Sequence, residues 1–457
     1  MRVLTSFLLL AALGAAAPYR AGVARAVITP RKPIYLSGYA NRTHPSEGQV
    51  HDLWAKALAL EDRRGGRVVI VATDLIGLPR AIADAVAVRV LKDYNLERSR
   101  LLLNSSHTHT GPMIQGNLEN LFELTGGERE TIEEYSRGLI DDLVALVGKA
   151  LEDLKPATLA FGNGTGGFAI NRRENTAAGM RIGVNAKGPS DHDVPVVRIT
   201  APGGALRAVL FGYACHNTTL GGDFYRIAGD YAGFAQSRIE EAHPGSSALF
   251  LMLCGADQNP HPRGKLEQAE QHGASLAAEV ERVLGAKLAP VKGPVRAAFR
   301  TVDLQFAPHT RGQFETLTGG ANPFRARNAR MQLRAYDQGR PIRQYSYPVQ
   351  AISFGKDLTV VALGGEVVVD YALRVKREYG AKGIIVAGYS NDVMSYIPSL
   401  RVLKEGGYEA VDSMIYYGLP GPYNEEVEER VMRGVRDVMK RVKRDTTAGH
   451  RQRAAPK

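Results

Sequence analysis

The feature that most narrows the fold is a series of short, nearly unbroken apolar runs spread along the chain. Arg67–Asp74, Leu101–Leu103, Leu206–Ala214, Leu249–Cys254, Leu358–Leu363 and Ile384–Ala387 are rich in aliphatic residues and alternate little with polar ones. A strand covered on both faces has this pattern, whereas a strand with one wet face alternates. Helix-length amphipathic segments separate them, at about 79–93, 128–154, 230–241, 266–284 and 366–379, with Asp230 as the expected N-cap of the third. This order predicts an α/β fold in which a multi-layer mixed β-sheet is surrounded by helices. Pro202-Gly203-Gly204, between apolar runs 195–200 and 206–214, is a hairpin signal and makes part of the sheet antiparallel. Val295–Phe306 reads as a longer, more exposed strand and 308–327 as irregular, so 290–345 is expected to be an insertion or subdomain within a main domain spanning 18–430.

The two ends of the chain carry separate messages. Arg2 followed by the apolar run Phe7–Ala17 before Pro18 reads as a secretory signal peptide over 1–17, too short to cross a bilayer as a helix. The mature chain is therefore expected to be extracytoplasmic, secreted or periplasmic. Two cysteines, Cys215 and Cys254, cannot build a disulfide framework. Each ends an apolar run, and buried thiols are expected, with a bridge between them left open. The net charge of +11 is concentrated at the C-terminus, where 431–457 holds nine Lys/Arg and two Asp/Glu. That segment is expected to be a solvated basic helix and tail, with at most weak contact to an anionic membrane surface. With no zinc-finger, RNA-binding or phosphate-loop motif, nucleic acid is excluded as a partner.

Several apolar runs end in polar clusters. Asn104-Ser105-Ser106-His107-Thr108-His109-Thr110-Gly111-Pro112 follows one, and a backbone kink there would bring both histidines to one pocket. His216, Asp257-Gln258-Asn259, Glu366 and Asn391–Tyr396 close others. Ligands of open α/β sheets gather at strand C-termini, so these clusters can converge. Two neutral imidazoles and a carboxylate, with one open position, form a catalytic zinc set that activates water near neutral pH.

At these residues the chain resembles the neutral/alkaline ceramidases, zinc amidases that cut the N-acyl bond of ceramide. His107-Thr108-His109-Thr110-Gly111-Pro112 is similar to their His-Thr-His-Ser-Gly-Pro segment. Further likenesses follow in the family's order: Asn171-Arg172, His216 with Ala228–Ala235, Ala362–Glu366, Asn391 with Tyr396, and Gly407–Ala410. The resemblance implies that His107, His216, Glu366 and Tyr396 bind Zn2+, that His109 acts as general base or acid, and that Arg172 and Tyr408 steady the oxyanion or orient substrate.

Two departures stand out. Gly255-Ala256-Asp257-Gln258-Asn259-Pro260 replaces the family's Gly-Asp-Val-Ser-Pro-Asn segment, with Gln258 in the place of the active-site serine. Asp257 and Gln258 therefore join the candidate catalytic residues, and a mechanism that needs the serine hydroxyl cannot run. The chain is also expected to lack the family's C-terminal β-sandwich domain. The expected function is an exported zinc-dependent hydrolase that cleaves an N-acyl amide, N-acylsphingosine or a related lipid amide, by zinc-activated water. Alternatives are a zinc hydrolase of other esters, lactones or small amides, and a non-catalytic metal-binding homologue.

Overall fold

The computed structural model describes residues 17–443, so residues 1–16 of the expected signal peptide and the last fourteen residues lie outside the described residues. The described residues form eighteen strands and nine α-helices. The first half holds β1 (Tyr19–Val27), β2 (Trp54–Asp62), β3 (Arg67–Thr73), α1 (Arg80–Tyr94), β4 (Leu101–Ser105), α2 (Gly126–Glu152), β5 (Lys155–Thr165), β6 (Ala169–Thr176), β7 (Gly179–Asn185), β8 (Asp193–Thr200) and β9 (Leu206–Tyr213). Then come α3 (Asp230–Ala242), β10 (Ser247–Met252), β11 (Gln258–Pro260), α4 (Leu266–Leu284), β12 (Ala289–Val291), β13 (Val295–Gln305), α5 (Arg311–Glu315) and α6 (Pro323–Asp337). The chain continues with β14 (Gln344–Phe354), β15 (Leu358–Leu363), β16 (Glu366–Val367), α7 (Val369–Tyr379), β17 (Ile384–Ala387), β18 (Tyr396–Ile397), α8 (Leu400–Glu405) and α9 (Val427–Lys443).

Two large mixed sheets stack face to face. The first runs β10-β9-β8-β5-β1-β2-β3-β4, with β12 on β5, and the second runs β13-β14-β15-β17. Parallel pairs β3/β4, β9/β10 and β15/β17 sit among antiparallel ones. The alternation of β3 shows why its run is continuous: Val68, Ile70 and Ala72 face the second sheet, while Val69 and Val71 face α1 and α2. Ile352, Phe354, Val360 and Ile385 supply the other side of the inter-sheet core. α3 and α4 cover the β8–β10 half of the first sheet, and α7 and α9 cover the outer face of the second. The α/β, multi-layer expectation is met.

Several local expectations change. Segment 308–327, expected to be irregular, contains α5 and the start of α6, whose Asn322 side chain accepts from the backbone N–H groups of Phe324 and Arg325, with Pro323 in the first turn. The α3 N-cap is Gly229; Asp230 follows with φ of +51°, and its carboxylate accepts from Leu220 and Tyr231 N–H instead. Glu366 does not open a helix but forms a two-residue strand ahead of α7. Residues 431–443 are no solvated arm: in α9 Val431, Val435, Val438 and Val442 are buried on the second sheet, and Gly434 lies against Val302 and Val349. Both cysteines are free and buried. No helix among the described residues is long and apolar enough to cross a membrane.

Candidate metal centre and active site

Strand ends from both sheets meet at one point. His107 stands two residues after β4 with φ of +63°, the left-handed kink that turns the chain out of the strand. Non-glycine residues hold such a conformation only where their surroundings determine it. Here the His107 N–H bonds Leu75 O at 2.9 Å and the ring Nδ1 faces Ile76 O at 2.6 Å. Thr108 bridges to Asn217, which ties the His107 segment to His216, three residues past β9. The His216 Nδ1 faces Gly255 O at 2.9 Å. Carbonyls accept only, so each Nδ1 carries the proton and each Nε2 offers a lone pair.

Glu366 and Tyr396 arrive together because β16 and β18 pair them directly in a parallel register. Glu366 Oε2 lies 3.0 Å from His107 Nε2 and 3.1 Å from His216 Nε2, and Tyr396 Oη lies 3.2 Å from His216 Nε2. Two imidazole lone pairs and a carboxylate oxygen thus confront one another away from water, an arrangement that needs positive charge between them. A divalent cation with N/O ligands satisfies all of them, so the donor set fits zinc. The Tyr417 hydroxyl donates to the other carboxylate oxygen, Oε1, and leaves Oε2 to face the imidazoles.

His109 approaches from the side, its Nε2 3.0 Å from His107 Nε2, and the nitrogens of His107, His109 and His216 form a group able to hold a metal. Its contact runs to His107, whereas Glu366 reaches both His107 and His216. Burial pushes the His216 pKa down to about 3, with Arg172 acting in the same sense, and keeps the ring neutral as a ligand must be. Burial, helped by His107 and His216, also holds His109 well below the usual imidazole range. For Glu366 burial acts upward, but the two histidines outweigh it and keep it ionised.

Arg172 is held as a fork. Its Nε donates to Glu409 Oε1 at 2.7 Å, Nη1 to Asn259 Oδ1 at 3.2 Å and Nη2 to Tyr396 Oη at 2.9 Å. Tyr408 packs beside it, its ring centre 5.4 Å from that of Tyr396. Together with His107, His109 and Glu366, these residues line a pocket of about 270 Å³ walled by Leu118, Leu121 and Tyr416. A wider groove of about 550 Å³ between the segment after β1 and α2 contains no histidine.

A sequence profile of the neutral/alkaline non-lysosomal ceramidase N-terminal region matches residues 19–252, which include His107, His109, Arg172 and His216. The chain belongs to that family. Neutral ceramidase of Drosophila pseudoobscura pseudoobscura is 25% identical over 260 residues, and that of Drosophila melanogaster 24% over 258. Each alignment covers 53% of this chain but only about a third of the relative, 36% and 35%. The solved neutral ceramidase of Pseudomonas aeruginosa shares the fold with a TM-score of 0.72 at 19% identity, over 96% of this chain and 77% of that one. A ceramidase complexed with C2 gives the same TM-score at 18% identity. Glu366, Tyr396 and Tyr408 lie beyond the ceramidase profile match, so their place at the site rests on the geometry above.

Two expected residues are not brought into this ceramidase-family pocket. The Gln258 carboxamide is used on backbone, its Oε1 accepting from Asp191 N–H at 2.7 Å and its Nε2 donating to Ala214 O. Asp257 caps α7 by accepting from Val369 N–H at 2.8 Å, and it also takes Asn171 Nδ2. Burial raises its pKa to about 7. The residue of β11 that lines the pocket is Asn259, because neighbouring strand residues point to opposite faces. The pairing of β11 with β6 decides which residue faces inward, and nothing in the sequence singled out Asn259 or Tyr417.

Proposed function

We propose that this chain is a zinc-dependent amidohydrolase that cleaves N-acyl amides, ceramide-like lipid amides among them, outside the cytoplasm. The observation that carries this reading is that Glu366 Oε2 lies within 3.1 Å of both His107 Nε2 and His216 Nε2, at a pocket lined also by His109, Arg172 and Tyr408. His107, His216, Glu366 and Tyr396 would hold the metal. When bound, zinc polarises an acyl oxygen and makes water nucleophilic near neutral pH. His109, neutral and at the pocket wall, takes a proton from the attacking water and returns it to the leaving nitrogen. Arg172, whose positive charge is anchored by Glu409, and Tyr408 face the oxygen on which negative charge develops. Leu118, Leu121 and Tyr416 offer an apolar wall to the acyl chain.

The test is metal analysis of the purified chain together with fatty-acid release from N-acylsphingosine. The expected result is about one zinc per chain and release that disappears in His107→Ala. A chain without zinc, whose metal content His216→Ala leaves unchanged, would sink the proposal. Export is checked separately, by N-terminal sequencing of protein recovered from outside the cytoplasm, where the expected first residue is Pro18.

A further inference from the structure

Asn259 is 96% buried, counted from a 4% exposure, and its amide orientation is determined by its neighbours. Arg172 Nη1 can only donate, so the atom it meets at 3.2 Å must be the carboxamide oxygen, which also receives the Thr218 hydroxyl at 3.4 Å. The amide nitrogen is therefore presented on the other side, and Asn259 lines the pocket. A hydroxyl at this place could donate or accept; a carboxamide pinned by its oxygen can only donate. The position asks its ligand for an acceptor oxygen.

The surrounding charge points the same way. Arg263 lies exposed on the pocket lining, donates to Tyr39 Oη at 3.2 Å and pairs with no carboxylate among the described residues. Outside the pocket lining, buried Arg42 stacks on the Tyr39 ring and donates its hydrogen bonds to carbonyl oxygens, those of Ser37, His109 and Phe224. Neither makes a direct ion pair among the described residues, unlike Arg172 with Glu409, and the carboxylates Asp230 for Arg263 and Asp223 for Arg42 act on them only at longer range. A pocket lined by one exposed guanidinium without a direct ion pair and by a fixed amide donor favours an anion over a neutral hydroxyl.

We infer that the pocket selects N-acyl amides whose amine half carries a carboxylate, that is, N-acyl amino acids, with Arg263 and the Asn259 amide receiving the carboxylate oxygens. This rests on the amidohydrolase reading and narrows its substrate class. N-acyl amino alcohols, ceramide included, offer no such group.

The experiment compares N-lauroylglycine with N-lauroylethanolamine, which differ in carboxylate against hydroxymethyl, and adds N-lauroyltaurine as a sulfonate control. The wild-type ratio of kcat/KM, glycine over ethanolamine conjugate, is expected to be about tenfold or more, the scale of one charge-assisted hydrogen bond. Arg263→Gln and, separately, Asn259→Ser should each bring that ratio down several-fold. Preference for the sulfonate over the carboxylate would replace the amino-acid assignment with a general anion site. A wild-type ratio near one, or a ratio that both substitutions leave in place, overturns the inference while leaving the hydrolase intact. If no amide is cleaved, the hydrolase reading fails. Calorimetric Kd values for the same two lauroyl conjugates then decide the inference alone: tenfold tighter binding of the carboxylate, reduced in Arg263→Gln, supports it, and equal binding overturns it.

Discussion

Gly38 separates two roles that the histidines could share. Its φ is +95°, and a Cβ built there would lie 2.3 Å from His109 Nδ1, so any side chain must push that ring aside. His107, His216 and Glu366 are untouched by the change. Gly38→Ala is therefore expected to retain metal while losing on the order of a hundredfold in kcat/KM, because misplacing a proton-transfer group by about an ångström has that effect. Metal analysis and amide cleavage on one preparation check it; loss of zinc would make His109 a ligand instead. Glu409 offers a second residue-scale test. Buried between Arg172 Nε and Arg173 Nη1, it is the counter-charge of both. Glu409→Gln leaves buried cations short of a partner and is expected to destabilise the fold by about 3–5 kcal/mol, measured by denaturant titration.

At the scale of elements, α9 has the sharpest consequence. Its valines at 427, 431, 435, 438 and 442 recur at helical spacing and are buried against β13 and β14. A chain ended after residue 430 loses most of that face and exposes the outer side of the second sheet. It is expected to unfold at a lower temperature by well over 10 °C or to fail to fold, whereas a change confined to the basic surface, such as Arg441→Gln, should shift stability by less than about 0.5 kcal/mol. Circular-dichroism melts of the two distinguish a structural helix from a solvated arm. The charge count over 431–457 concealed this, because lysines and arginines occupy the outer face of a helix whose inner face is apolar. α6 was legible but unread: Asn322-Pro323 is an N-cap followed by a first-turn proline.

Across the whole molecule, the site joins segments from residue 107 to residue 417 and from both sheets. A bound metal should therefore stabilise the fold globally. Removal with a chelator is expected to lower the melting temperature, and zinc at a hundred times its dissociation constant should restore about 2.7 kcal/mol. The pH dependence of stability carries another signature. Asp257 keeps its proton in the native state up to about pH 7, while in the unfolded chain it ionises near its ordinary value of 3.8. Between these values the native state binds the extra proton, so stability falls as pH rises through that window, by about 4 kcal/mol in all. Asp257→Asn should remove that slope; denaturant titrations at pH 4.5 and 7 measure it, and an unchanged slope would assign it to other buried carboxyls.

By itself the sequence determined the layered α/β architecture, because runs buried on both faces must lack alternation, and it placed α4 at 266–284 and β15 at 358–363 as found. It also pointed to His107, His109, His216 and Glu366, since histidines and acids at the ends of apolar strands have few other reasons to gather. Only the tertiary structure decided which residue of β11 faces the pocket. A register step of one residue exchanges Gln258 for Asn259, and no local pattern in three residues sets that register. It likewise decided that Asp257 caps α7 and that Tyr417 holds Glu366, because both contacts join segments more than fifty residues apart, where chain packing alone selects the partner.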